Sequence, residues 1–169
     1  MNTPAAKPAQ LLLPYAEREW VDVARARRIL GAGGNDTIYL LRRRREDRPY
    51  LEGIDFGRNH RQRILYASVV RYCDWLRQHY ALPDRRPALP NSIFRHRDED
   101  LLPFPLAETI GVPEAQTFLP YDSTSFLFKR LEEGAFHAYK LMPGSPTSPW
   151  RISRVDFARW LQQAHDFRR

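Results

Sequence analysis

WVDVARARRIL at residues 20–30 returns in altered letters as TIGVPEAQTFL at 109–119, and this recurrence governs how the rest of the chain is read. After each stretch comes a turn, then DTIYLLRRR (36–44) or STSFLFKRLEEG (123–134), then a loop. SVVRYCDWL (68–76) or SRVDFARWL (153–161) closes the copy. The matches fall where a fold needs them. Ala26 and Ala115 are small enough for two helices to approach closely, and Leu30 and Leu119 close the first helix of each copy. Thr37 and Thr124 open the second helix, with Tyr39–Leu40 and Phe126–Leu127 expected to face its core. Ser68 and Ser153 each stand two residues before a shared valine (Val70, Val155), and Tyr72 or Phe157 follows, then Trp75–Leu76 or Trp160–Leu161. A repeated helix–turn–helix with a trailing amphipathic helix points to duplex DNA.

Local signals sharpen the boundaries. The first helix is expected near Val23–Leu30, capped by Asp22 and stopped by Gly31. The GAGGN turn (31–35) permits a sharp reversal. Asp36 is the expected cap of the second helix, with Ile38 and Leu41, and also Leu40, facing inward. Residues 46–67 read as a β-hairpin: PYLEGIDFG, a basic turn RNHRQR, and ILYA, with Tyr50, Ile54, Phe56, Ile64 and Tyr66 supplying the strands. Ser68 is expected to cap the helix that runs to about Tyr80. In the second copy the turn reads as two residues shorter, and Asp122 or Ser123 caps the next helix. Gly134 ends that helix, Ala135–Leu141 and Trp150–Ile152 pair as a two-stranded wing, and a last helix follows from Ser153 to about Phe167. The expected fold class is therefore mainly α with small β-hairpin wings (α+β).

Five prolines at 83, 87, 90, 103 and 105 set the boundary between copies. The expected organisation is an irregular arm (1–14), a first module (15–81), a Pro-rich linker (82–105) on which Ile93 and Phe94 could dock, and a second module (106–169). At 169 residues each module has a modest core. The net charge of +7 favours a polyanionic partner, nucleic acid or an acidic membrane surface. Its distribution matters more than its total: residues 1–83 hold fifteen Lys/Arg against nine Asp/Glu, and residues 101–169 eight against seven. The two copies are not expected to contribute equally to binding an anion.

The second copy resembles the winged helix–turn–helix of phage excisionases and the related MerR-type DNA-binding domains. The resemblance lies in helix, turn, STSFLFKRLEEGAFHAYKL and WRISRVDFARWL, over about 50 residues, with GAFHAYKL as wing strand and RVDFARWL as the closing helix. The first copy is similar but less so, because its wing is longer. What the resemblance implies is two winged helix–turn–helix modules, the second helix of each in the major groove and the wing on the backbone or minor groove.

In the first copy Asn35, Thr37 and Tyr39 begin the candidate recognition helix, where side chains reach base edges. Arg42, Arg43, Arg44 and Arg45 follow. Four consecutive residues spread around a helix, so one or two are expected on phosphates, and the alternative is a solvated end that suits the helix dipole. Arg58, His60, Arg61 and Arg63 in the hairpin turn suit phosphate or minor-groove contact. In the second copy the candidates are Ser123, Thr124, Ser125, Lys129 and Arg130, with Lys140 and Arg151 flanking the wing. Phe126, Leu127, Phe128 and Leu131 are apolar on more than one face, which leaves a dimerising or partner-recruiting role open for this copy. Arg25 and Arg28 are generic backbone contacts, and Trp75 and Trp160 are read as equivalent core anchors.

No catalytic or cofactor motif is present, and none is expected to be used. The five histidines (60, 79, 96, 137, 165) are scattered, GAGG at 31–34 is not a phosphate-binding fingerprint after a strand, and Asp98–Glu99–Asp100 reads as a solvated charge run rather than a metal site. Cys73, the sole cysteine, reads as a small buried hydrophobe and suits a reducing cytoplasm. No apolar run approaches a membrane span, and LLL at 11–13 is too short for a signal-peptide core. The expected function is sequence-specific binding of double-stranded DNA in the cytoplasm, at the nucleoid, as a transcription regulator or excisionase-like accessory factor of a mobile element. The alternative is an adaptor whose first module holds DNA while the second forms a homodimer or recruits a protein.

Overall fold

The computed structural model describes residues 19–55, 62–87, 97–120 and 124–166. The chain is mixed α/β and falls into two compact units. Among the described residues the first unit holds 19–75 with 87 and 97–101, and the second holds 76–86 with 102–166.

The first unit begins with a strand that the sequence does not announce, β1 (Trp20–Asp22), followed by α1 (Val23–Leu30) and α2 (Asn35–Arg42). Strands β2 (Gly53–Ile54) and β3 (Arg63–Leu65) follow, and then α3 (Tyr66–His79), whose last turn counts with the second unit. The sheet order is β1–β3–β2, all antiparallel, with Val21 opposite Ile64 and Gly53 opposite Ile64 on the other side. Helix α1 has the expected ends. The Asp22 carboxylate accepts from the Arg25 amide at 2.7 Å, and Gly31 sits at φ 61°, where it and Ala32 donate back to the carbonyls of Arg28 and Arg27. Val21, Ala26, Leu30, Ile38, Leu41, Leu51, Ile64, Val69, Tyr72 and Cys73 are all buried.

The second unit repeats this order. β4 (Thr109–Ile110), α4 (Val112–Thr117), α5 (Thr124–Glu132), β5 (Ala138–Lys140), β6 (Trp150–Ser153) and α6 (Arg154–Asp166) follow one another, and the sheet order is β4–β6–β5. Ile110, Ala115, Leu127, Leu131, Phe136, Ala138, Ile152 and Phe157 form its core, with Trp160 and Leu161 against the edge. Gly134 ends α5 at φ 68°, with its own amide and that of Ala135 returning to Leu131 and Arg130.

The repeat is real in topology, but its register differs from the sequence reading in two places. Ile38 and Leu127 each lie eight residues past Leu30 and Leu119, and both are fully buried. They are therefore counterparts, without the two-residue difference in turn length. Tyr39 and Leu40, expected in the core, are 42% and 39% exposed. Two residues along a helix turn a side chain by about 200°, enough to exchange inner and outer faces. In the last helix, Val21 faces Ile64 and Ile110 faces Ile152, so Leu65 corresponds to Ser153 and Ser68 to Asp156. Matching Ser68 to Ser153 is wrong by three residues, nearly one helical turn, which preserves the apolar face and hides the error. Trp160 accordingly corresponds to Tyr72, not to Trp75.

Two caps also differ. Gly34, with no side chain to donate or accept, precedes α2, and Asp36 lies exposed within its first turn. Tyr66 begins α3 rather than ending a strand, because its helix starts before Ser68. The Ser68 hydroxyl instead donates to the Leu65 carbonyl (2.7 Å) and accepts from the Glu52 amide (3.0 Å), fastening the hairpin to the helix. Ser153 both ends β6 and caps α6, its hydroxyl accepting from the Asp156 amide at 3.4 Å. The stretch expected to be a linker is shared out: Arg85 bonds to Asp156, and Asp98 to Arg25. The N-terminal arm, Ile93, Phe94, Phe56, Asp122 and Phe167 lie outside the described residues.

Candidate nucleic-acid interface

Helix α2 packs against α1 through Ile38 and Leu41 and turns the opposite face to solvent. That face holds Asn35, Asp36, Tyr39 and Leu40, all exposed, with Thr37 half-buried at its side. Asn35 accepts a long hydrogen bond from Arg27 (3.4 Å) and keeps its amide donor. At the far end the chain leaves the helix at Arg43, in extended geometry, and enters the arginine run.

The arginines separate into distinct roles. Arg42 is half-buried and donates to the Gln62 side chain at 2.7 Å, and Gln62 donates on to Asp55 at 3.3 Å. Its guanidinium lies so close over Gly53 that a Cβ there would come within 2.6 Å of Nε. Arg42 is thus a strut between α2 and the hairpin. Arg45 forms a two-pronged pair with Asp47 (2.8 and 3.0 Å), which neutralises it locally. Arg48, which sequence reading passed over, donates to the carbonyls of Leu40, Leu41 and Pro49 and so satisfies the open end of α2. With that end already capped, Arg43 and Arg44 are not required for it. Arg44 lies over the Tyr50 ring at 5.1 Å, Arg43 is exposed, and neither has a carboxylate partner among the described residues. Arg63 is half-buried in β3 opposite Asp22 and Ile54. Arg28 projects exposed from α1, while Arg25 is held by Asp98 (3.0 and 3.1 Å) and Glu19 (3.1 Å). Its bonds to the Asp98 carboxylate, partly opposed by desolvation, raise the Arg25 pKa well above the usual arginine range. Asp98 is therefore an ion-pair partner of α1 rather than an idle charge. Arg58, His60, Arg61 and Ser123 lie outside the described residues.

The second unit presents the corresponding helix differently. Thr124 and Ser125 open α5 and are exposed, as are Phe128 and Lys129. Of the apolar run, Phe128 is 40% exposed, whereas Leu127 and Leu131 are buried and Phe126 packs against Trp160. Cations here are mostly matched within the unit. Arg130 bonds Glu133 (2.7 Å), Arg86 bonds Asp84 (2.6 Å), Arg154 lies 3.8 Å from Glu114, and Arg159 lies 3.4 Å from Asp156. Lys140 sits over Trp150, and Arg151 sits over Tyr139 and donates to its hydroxyl. Lys129 is without a carboxylate or ring partner among the described residues.

Sequence reading also missed a buried ionic network in this unit. The Asp156 carboxylate, 6% exposed, accepts from Arg85 at 3.0 Å and contacts His137 Nδ1 at 3.0 Å. Burial alone would raise its pKa; hydrogen bonds from Arg85, Ser153 and His137 outweigh that and hold it down to about 2. A recess of about 160 Å³ lined by Phe136, His137, Asp156, Arg159 and Trp160 opens beside it. The corresponding residues of the first unit, Glu52 and Arg71, form a plain surface pair at 2.8 Å. A His at one end of a strand and an Asp on a helix carry no local sequence signal of meeting.

Among the described residues no three His, Cys, Asp or Glu side chains gather as metal ligands, and no helix is long and apolar enough to cross a membrane. Comparison of the chain with protein-family models, curated proteins and solved structures returns no match.

Proposed function

We propose that this chain is a non-enzymatic protein that binds double-stranded DNA sequence-specifically, through two winged helix–turn–helix modules, as a transcription regulator or an excisionase-like accessory factor of a mobile element. One observation carries the reading. The solvent face of α2, with Asn35, Tyr39 and Leu40, runs directly into Arg43 and Arg44, whose charges no described carboxylate neutralises. A polar and apolar face beside unmatched guanidinium groups suits base edges flanked by phosphates. The duplicated strand–helix–helix–strand–strand–helix order supports it, since a short hairpin after the second helix stands where a wing would. The test is fluorescence anisotropy of the intact chain with a pool of short duplexes at rising salt. Steep weakening with salt is the expected result, because each phosphate contact releases a counterion. No binding near physiological salt overturns the reading.

A second reading is favoured by the matched cations of the second unit. There α5 would serve a homodimer or a protein partner while the first unit holds DNA. Light scattering of the intact chain over a range of concentrations separates the two: a strict monomer on and off DNA removes the dimer.

A further inference from the structure

Among the exposed aromatic rings of the described residues, which also include Trp20 and Phe118, one in each unit stands at the same place in the second helix. Ile38 and Leu127 are fully buried counterparts, and the residue after each, Tyr39 or Phe128, is 42% or 40% exposed. A single exposed ring is ordinary. The same ring position, turned outward in two copies whose other helix-face residues differ, is harder to attribute to chance packing. One turn before each ring stand small polar side chains, Asn35 and Asp36 or Thr124 and Ser125, all exposed. The cations beside the rings are not counterparts: Arg43 stands one turn after Tyr39, where the second unit has Glu132, and Lys129 directly follows Phe128, where the first unit has Leu40.

An apolar spot beside hydrogen-bonding groups matches the major-groove edge of an A·T pair. Along that edge run the adenine N7 acceptor and N6 donor, then the thymine O4 acceptor, and last the thymine methyl. Asp36 adds a direction, because a carboxylate on this face is repelled by phosphates and is best accommodated toward the groove floor, leaving Arg43 to the backbone.

Building on the DNA-binding reading above, we propose that Tyr39 and Phe128 contact thymine methyl groups, so that each module requires a T·A pair where its second helix enters the groove. In the first module Asn35 lies one turn from the ring and takes the adenine edge.

The test begins by selecting preferred sites from random duplexes with the intact protein. Each thymine of the best site is then replaced in turn by deoxyuridine, which removes only the methyl, and binding is read by anisotropy. The expected result is one position per module at which affinity falls about fourfold, the worth of one methyl-sized group returned to water. Tyr39→Ala should abolish the effect at the first position and Phe128→Ala at the second, with circular dichroism confirming that both variants keep their fold. Tight, salt-dependent binding that ignores every deoxyuridine overturns the thymine contact and leaves DNA binding standing. Absence of duplex binding at any salt overturns both. Variants that bind DNA unchanged but lose self-association in light scattering also overturn the proposal and assign the rings to a protein contact.

Discussion

Replacing Asp156 by Asn removes one charge from the second unit and almost no volume. The carboxylate is buried against Arg85 and His137 at 3.0 Å each, with its pKa down to about 2. Against an unfolded-state value of about 3.9, a drop of this size contributes about 2–3 kcal/mol of stability at neutral pH. The sign follows from the direction of the shift. A depressed folded-state pKa stabilises fully above the unfolded pKa, and the contribution is lost as pH falls through about 4 towards 2. Asp156→Asn should therefore lower the melting temperature by about 4–12 °C at pH 7, using about 2–4 °C per kcal/mol for a chain of this size. Wild type and variant should converge as the pH is lowered from 5 to 2. Calorimetric melting across that range decides the matter. A variant that melts with wild type at pH 7, or a gap that persists undiminished at pH 2, refutes the assignment of this stability to the Asp156 charge.

Other expectations concern the first unit. Gly53→Ala should push the Arg42 guanidinium off Gln62 and cost about 1–2 kcal/mol by urea unfolding, and the cost should largely vanish in an Arg42→Ala background. Ile38→Ala should destabilise by about 2–5 kcal/mol while Tyr39→Ala costs less than about 1 kcal/mol; equal costs would show that the buried face of α2 is misassigned. If the first unit binds DNA as proposed, Arg43→Ala should weaken binding to all duplexes alike and reduce the salt slope by about one. Asn35→Ala should instead relax preference at one base pair, by about 1–3 kcal/mol, measured on a panel of single-substituted sites.

What the sequence discloses and what it hides both have physical reasons. Helix ends are local events, so Asp22, Gly31 and Gly134 announce α1 and the end of α5 correctly. β1 and β4 are three and two residues long, and each is held by a strand more than forty residues away, so no alternating pattern marks them. The register of the repeat was harder. A mismatch of three residues in α3 and α6 leaves hydrophobic matches intact, because three residues nearly complete a turn; a mismatch of two in α2 and α5 puts Leu40, on the surface, against Leu127, in the core. The arginine run was legible as a charge but not as a division of labour. Only the positions of Gln62, Asp47 and the Leu40 carbonyl separate the strut Arg42, the neutralised Arg45 and the cap Arg48 from Arg43.

The two units also show how one scaffold diverges at a fixed place. The helix position filled by Ser68 in the first unit is Asp156 in the second, and the strand-end position filled by Glu52 is His137. In the first unit the carboxylate stays outside, pairs with Arg71 at 44% exposure, and contributes at most about 1 kcal/mol. In the second it has moved onto the helix and beneath the surface, where it draws in Arg85 and Arg159. Two arginines that would otherwise add to the positive surface are thereby engaged in holding the unit together. The same change that fixes residues 82–86 to this unit thus lowers its free positive charge. Net charge alone, nearly even in residues 101–169, understates the contrast, since most cations there already have a partner. If the chain binds DNA, salt-sensitive affinity should come from the first unit, and the second should contribute through shape and the Phe128 face.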